Sequence, residues 1–264
     1  MEWEWLREFC KGMIKPLLAL SVAVMGMVLA HWQKLGLVGD TAYSVLRGLI
    51  QISAIGFVLH FLFHQQSSLW IVGYYLFMVC VAGYTAGQRA KHVPRGKYVA
   101  GMSILAGTSV PLSILITLKT VSFTPRYIIP LSGLIVGTAM NVTGITMKRL
   151  RDDIKLQTVL VETALALGAT PRQATMLQVK RSVIIALSPA LDNAKTLGLV
   201  TFPGGMTGMM LAGASPTEAI KLQLVIMNLI IGASTLSSIT STYLSRPCLF
   251  TEAHQLQTNA FISD

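Results

Sequence analysis

Long apolar runs separated by short polar segments organise this chain. The runs at residues 16–32, 41–63, 69–87, 98–118, 125–147, 183–200 and 216–244 each approach the length of a membrane-spanning helix, which needs roughly 20 mainly apolar residues. The pattern predicts an all-α integral membrane protein of about seven transmembrane helices, forming one transmembrane domain over residues 1–264. Several starts carry their own signal. Thr124-Pro125 and Ser215-Pro216 place an N-cap residue before a first-turn proline, and Ser215-x-x-Glu218 predicts a capping box. Gly83, Gly87, Gly101, Gly107, Gly133, Gly137 and Gly144 recur at small-residue spacings that predict close helix packing. Only residues 199–213, LVTFPGGMTGMMLAG, break the scheme, because Pro203-Gly204-Gly205 interrupts a helix and the remainder is too short to cross alone. Such a broken or re-entrant segment is tolerated at membrane depth where it lines a cavity; a plain extracellular turn is the competing reading.

Composition agrees with the bilayer. The chain is 53% hydrophobic and 12% charged, with mean hydropathy +0.61, whereas a soluble domain carries roughly 25% charged residues. The net charge of +10 does not point to nucleic acid, since the basic residues sit in short loops and no nucleic-acid motif accompanies them. They orient the spans instead. Arg89, Lys91, Arg95 and Lys97 crowd one loop, and residues 148–181 carry seven Lys or Arg against Asp152, Asp153 and Glu162, so both face the cytosol. The uncharged loop 65–68 then lies on the opposite side, the N-terminus outside and the C-terminus inside. Glu2, Glu4 and Glu8 balance Arg7, Lys11 and Lys15, so the first apolar run is expected to stay as a span rather than be cleaved as a signal peptide. Cys10, Cys80 and Cys248 lie far apart, which predicts neither a disulfide framework nor a metal site.

The most informative polar stretch is 162–181, ETALALGATPRQATMLQVKR, within a predicted cytosolic region at about 148–181. A helical pattern runs to Leu167, Gly168 supplies a left-handed terminator, Thr170 is an N-cap, Pro171 suits the first helical position and Gln173 stands where a capping box wants Glu or Gln. Two helices therefore meet at a tight corner. No phosphate-binding loop exists to fuel movement here: the single Gly-Lys pair, Gly96-Lys97, is followed by Tyr98 instead of Ser or Thr.

Within the spans, Asp192 and Lys195 share a helical face. A charge in a span centre costs on the order of 2.5–3.5 kcal/mol, so the two should pair, near the cytosolic interface, or line a polar path with Asn193. Asn141, in the fifth span, and Pro203 are further candidates for that path. Met206, Met209 and Met210 share a face and offer either adaptable packing or soft ligands for an ion such as Cu(I). Al³⁺ and Fe³⁺ prefer oxygen, and the spans carry few carboxylates.

The order Glu162-x-Ala164-x-x-x-Gly168-Ala169-Thr170-Pro171 resembles the cytosolic "EAA" loop of ABC-transporter permeases, although Lys180-Arg181 replaces the Leu-Pro pair of ordinary importers. Together with YTAGQRAKHVPRGKYVAG at 84–101 and FPGGMTGMMLAGASPTEAI at 202–220, it is similar to the family that unites bacterial iron-export permeases with plant aluminium-sensitive permeases, nearer the plant branch. That resemblance implies a permease subunit and not an enzyme. It also implies a coupling helix-turn-helix in which Glu162, Ala164, Gly168, Ala169, Thr170, Pro171, Arg172 and Gln173 meet a separate ATPase subunit. The chain itself then needs no cofactor, ATP and Mg residing on the partner. Because ABC ATPases work in pairs, two copies of the chain are expected around a shared path. The plant relatives imply a role in aluminium tolerance through UDP-glucose export, in the plasma membrane or an internal membrane of a plant cell; the bacterial ones imply metal efflux. A secondary transporter or channel that needs no ATPase is the alternative of another class, weakened by the scarcity of intramembrane carboxylates and by the lack of a visible inverted repeat.

Overall fold

The computed structural model describes residues 18–64, 68–91, 93–121, 123–251, 253, 255–257 and 261. The acidic and basic balance at residues 2–15, Cys10 and most of the loop 65–68 lie outside the described residues. Within them the chain is all-α: helices are joined by short turns, with two isolated bridges, Leu197 to Thr201 and Phe250 to Leu256.

Two compact units are present, Met1–His64 and Gln65–Asp264. The first holds α1 (Leu20–Trp32) and α2 (Val38–His64), linked through Lys34 and Gly36 at positive φ. The second holds α3 (Ser68–Arg89), α4 (Gly96–Thr117), α5 (Pro125–Leu156), α6 (Thr158–Ala166), α7 (Pro171–Ala174), α8 (Met176–Thr196), α9 (Gly204–Leu211) and α10 (Pro216–Cys248).

Among the described residues, α2, α3, α4, α5 and α10 are long and apolar enough to cross a membrane, and the chain is a multi-pass membrane protein. Two of the seven predicted spans differ from these five. α1 has 13 described residues. α8 has the length but carries Lys180, Arg181, Asp192 and Lys195, and it ends at Thr196 instead of Val200 because Gly198 turns the chain at φ +84°. Conversely, α5 continues nine residues past the predicted end at Met147, to Leu156. Its 32 residues make a rod of about 48 Å against a hydrocarbon core of about 30 Å. Beyond Met147 the exposed faces turn basic while Leu150 and Ile154 remain buried, so helix periodicity outlasts apolarity.

Helix starts follow the predicted signals in part. Thr124 and Ser215 both take the extended cap conformation ahead of proline. Thr124 makes no side-chain cap bond, and at Ser215 half of the predicted box forms: the hydroxyl accepts from the Glu218 amide at 3.3 Å.

Three apolar clusters hold the second unit together. One joins α3, α4 and α5 around Ala86, Ala100, Ile104 and Ala139. Another joins α4, α5 and α10 around Leu112, Ile135, Leu229 and Ala233. The third, around Leu150, Ile154, Val161, Ala174, Leu249 and Phe250, fixes α6 and α7 to one end of α5 and α10. The basic turn between α3 and α4 stands at that same end, since Gly96 lies beside Met147. The two predicted cytosolic segments therefore share one end of the unit.

Between α4, α5 and α10 runs a seam of buried hydroxyls. Ser237 bonds Thr143 at 2.7 Å and donates to the Ser103 carbonyl at 3.2 Å, and Thr146 bonds Ser238 at 2.9 Å. Each hydroxyl has one proton. As Ser237 spends its own on Ser103, Thr143 donates to Ser237; as Thr146 donates to the Val142 carbonyl at 2.8 Å, Ser238 donates to Thr146. Gly107 brings α4 against this seam, since a Cβ there would lie 2.6 Å from the Ser237 backbone nitrogen. Gly137 has open space instead. The glycines predicted to pack tightly thus divide into those in backbone contact and those that are not.

Overpacking a site of the Gly107 kind costs typically about 1–3 kcal/mol. Gly107→Ala should lower the melting temperature of the detergent-solubilised chain, while Gly137→Ala should leave it unchanged or raise it, alanine favouring helix by up to about 1 kcal/mol. Equal shifts in the two variants would contradict the packing described.

Candidate functional site

The corner between α6 and α8 is built as its residues require. α6 ends at Ala166, Gly168 sits at φ +91°, and α7 opens on Thr170 in the extended conformation. The Gln173 backbone N–H donates to the Thr170 hydroxyl oxygen at 3.3 Å, and the Thr170 backbone N–H donates to Gln173 Oε1 at 2.9 Å. Both halves of the capping box are therefore made, satisfying two amide groups that the first turn of a helix leaves open. Pro171 occupies the first helical position, and its carbonyl accepts from the buried Thr175 hydroxyl at 2.7 Å. The elbow is fastened from behind, where Gln178 in α8 donates to Gln157 Oε1 at 2.7 Å at the junction of α5 and α6.

The predicted elbow residues divide by what they touch. Ala164 leans on the apolar cluster beneath. Glu162, Gly168, Ala169 and Thr170 border an open groove of about 670 Å³, closed on its other side by Gln255 and Leu256. Glu162 is exposed and forms no ion pair among the described residues, so it does not brace the corner. A Cβ at Gly168 would meet nothing within 4 Å; glycine serves there for its positive φ and not for a close approach inside the chain. Arg172 is exposed and lies over the Tyr243 ring of α10, 5.8 Å from its centre.

A second feature lies towards the far end of α8. A cavity of about 360 Å³ opens between α5, α8, the α8–α9 turn and α10. Asn141, Asn193 and Pro203, from three separate stretches of sequence, converge on it with Thr138, Thr201 and Gln223. Gln223 is 6% exposed and borders the cavity, and its side-chain amide has no hydrogen-bond partner among the described residues. Asn141 Oδ1 accepts from Arg89 Nη1 at 2.6 Å, which leaves its amide nitrogen to donate elsewhere. Among the described residues, the cavity lining contains no carboxylate and no lysine or arginine.

Asp192 and Lys195 do pair, at 3.0 Å, with both side chains largely exposed. They sit in the last turns of α8, with Asp192 about 24 Å along the axis from Met176, so the pair is remote from the elbow end where a cytosolic-interface pair was expected. Neither side chain lines the cavity. Met206, Met209 and Met210 lie half-buried on α9, which packs on α10, and they too stand apart from it. Gln223, Thr138 and Thr201 were not singled out in the sequence, and Arg89 was named there only as a loop charge. Gln223 had a weak signal, one of two amides, with Asn228, in the mainly apolar run from Ala219 to Ile231; the contact of Arg89 with Asn141 had none, because it depends on how α3 packs on α5.

Comparison with known proteins places the chain among membrane proteins. A family model described as "Uncharacterised protein family (UPF0014)" matches residues 13–250. The chain is 62% identical to Protein ALUMINUM SENSITIVE 3 of Arabidopsis thaliana over 263 residues, covering 100% of this chain and 96% of that protein. It is 59% identical to UPF0014 membrane protein STAR2 of Oryza sativa subsp. japonica, covering 98% and 90% respectively. To the Probable iron export permease protein FetB of Escherichia coli it is 33% identical, covering 90% and 92%. No solved structure matches.

Loss of an N-cap bond typically costs about 1 kcal/mol. Thr170→Ala and Gln173→Ala should each speed hydrogen exchange at the amides of residues 172–175, while the amides of α4 and α10 keep their protection. Because the two side chains form one motif, the double variant should lose less than the sum of the single ones. Additive losses, or loosening spread across the whole unit, would contradict a local capping role.

Proposed function

Because the chain belongs to the UPF0014 family of membrane proteins, we propose that it is the permease subunit of an ABC transporter, driven by a separate ATPase subunit that docks on the elbow. The observation that carries this reading is the elbow itself: a capped corner at the protruding end of α5 and α10, with Glu162 and Arg172 exposed and Gly168 enforcing the turn. In this reading ATP and Mg stay on the partner. Closure of a pair of ATPase subunits displaces two elbows, one on each of two copies of this chain. α8 carries the displacement along about 30 Å of helix to the cavity. Asn141, Asn193, Pro203 and Gln223 then change their exposure to the two sides.

For the solute, we favour UDP-glucose, exported in a role in aluminium tolerance, in keeping with the likeness to the plant proteins. The cavity's amides and hydroxyls suit a polar organic molecule, and its lack of carboxylates disfavours a bare hard cation. Metal efflux is the second reading, on the strength of the relative named as an iron export permease. The three methionines give it little support, since they lie off the cavity.

The test is ATP hydrolysis by the permease and its ATPase reconstituted together, with UDP-glucose, Fe³⁺ and Al³⁺ offered in parallel. UDP-glucose should stimulate hydrolysis, and Gly168→Pro should return it to the basal rate, because proline cannot take φ +91°. Single cysteines replacing Asn193 and Gln223 should change their reactivity with a charged thiol reagent between the ATP-bound and nucleotide-free states. Solute flux by the chain alone, without ATP, would show instead a secondary transporter or channel.

A further inference from the structure

Beside the elbow, the last turns of α10 and the short α7 present a cationic cluster that has no counter-charge among the described residues. Arg172, on α7, and Arg246, on α10, both lie over the ring of Tyr243, at 5.8 and 5.4 Å from its centre. Arg172 also reaches the Tyr243 hydroxyl at 3.4 Å, long for a hydrogen bond. Among the described residues neither guanidinium has a carboxylate partner. The Nε of Arg246 is buried without an acceptor. Together with Pro171, Pro247 and Phe250, the two arginines border a hollow of about 460 Å³.

Two like charges stacked on one ring repel each other, and a buried guanidinium N–H without an acceptor is unfavourable. The repulsion is relieved if a carboxylate enters the hollow, where guanidinium groups bind a carboxylate through charge-assisted hydrogen bonds. We propose that this cluster is a docking point for an acidic side chain of the ATPase subunit. The proposal rests on the reading that such a subunit binds the elbow. It gives that contact a polarity: cations on the permease, an Asp or Glu on the ATPase. Position favours a protein partner over a lipid headgroup. Phe250, at the hollow, packs with Leu150 and Ile154 of α5, past the point where Lys148 and Arg149 take that helix out of its apolar stretch.

The experiment is retention of the co-expressed ATPase by the full-length chain, purified in detergent and in nanodiscs with and without anionic lipid, over a range of salt. With the wild-type chain, retention should weaken as salt rises. Arg172→Glu and Arg246→Glu should each reduce it on the order of tenfold, as for a charge pair at an interface. Reversal of one ATPase carboxylate to lysine should restore binding to the Glu variants. Melting temperature controls for folding, and the exposed Arg172 on its short helix serves should Arg246→Glu fail to fold. If the wild-type chain holds the ATPase and both variants hold it equally with the same salt dependence, the docking point is overturned and the permease reading stands. If the wild-type chain holds no ATPase, the permease reading fails, and this proposal with it. Retention that is lost from wild type when anionic lipid is removed, with no effect of ATPase charge reversal, would assign the cluster to lipid and overturn the proposal.

Discussion

The contact of α10 with α4 and α5 is the one on which the larger unit depends, and its character is set by what a bilayer forbids. Apolar side chains gain little by leaving lipid for one another, so helices in a membrane are held by close packing and by hydrogen bonds between them. Here α10 supplies Ser234, Ser237, Ser238, Ser241, Thr242 and Ser245, all buried, and α5 answers with Thr143 and Thr146. Small hydroxyl side chains let the backbones approach, and Gly107 removes the last obstacle on α4. The run of buried hydroxyls ends at Ser245, next to Arg246 and shortly before Phe250, so the same helix that is locked into the bundle also carries the surface against which the elbow rests.

That continuity gives the elbow mechanical meaning. α6 and α7 have one well-defined corner, closed by the reciprocal capping bonds between Thr170 and Gln173, and α8 leaves the corner as one helix of 21 residues. Its far end borders the cavity with Pro189 and Asn193. Pro189 lies inside α8 without breaking it, and a proline there weakens the backbone ladder one turn earlier. In the proposed mechanism a push at Pro171 would reach the cavity through a helix that can bend close to where the polar side chains gather. The cavity's polar groups come from α5, α8, the α8–α9 turn and α10, so relative motion of any of these reshapes it.

Local chemistry was legible in the sequence, and tertiary chemistry was not. The elbow could be read residue by residue because a helix stop, an N-cap and a capping box are properties of neighbours, and all three formed. Helix positions in the apolar runs were equally plain. Apolarity misled where it and helicity part company: α5 and α10 run on beyond their apolar stretches, and α8 stops early at a glycine turn. Charge pairing of Asp192 with Lys195 followed from spacing, but its place near the far end of α8 did not. Gathering Asn141, Asn193 and Pro203 in one cavity bore on residues already suspected, whereas the roles of Arg89 and Gln223 arise from packing between helices distant in sequence. The hydroxyl seam likewise arises from the packing of α10 on α4 and α5 and was not anticipated from the sequence.

The central claim is that the elbow is the place where an external motor grips this chain. Leu167, 84% exposed at the tip of the corner, offers a direct measurement: a cysteine placed there, in the full-length chain in native membranes, treated with a short bifunctional thiol reagent. The account predicts a cross-link to an ATPase subunit, with a yield that changes between the ATP-bound and nucleotide-free states. A cysteine at this position that reacts only with reagent supplied from the outer side of the membrane, or that cross-links to no ATPase in either state, would contradict it.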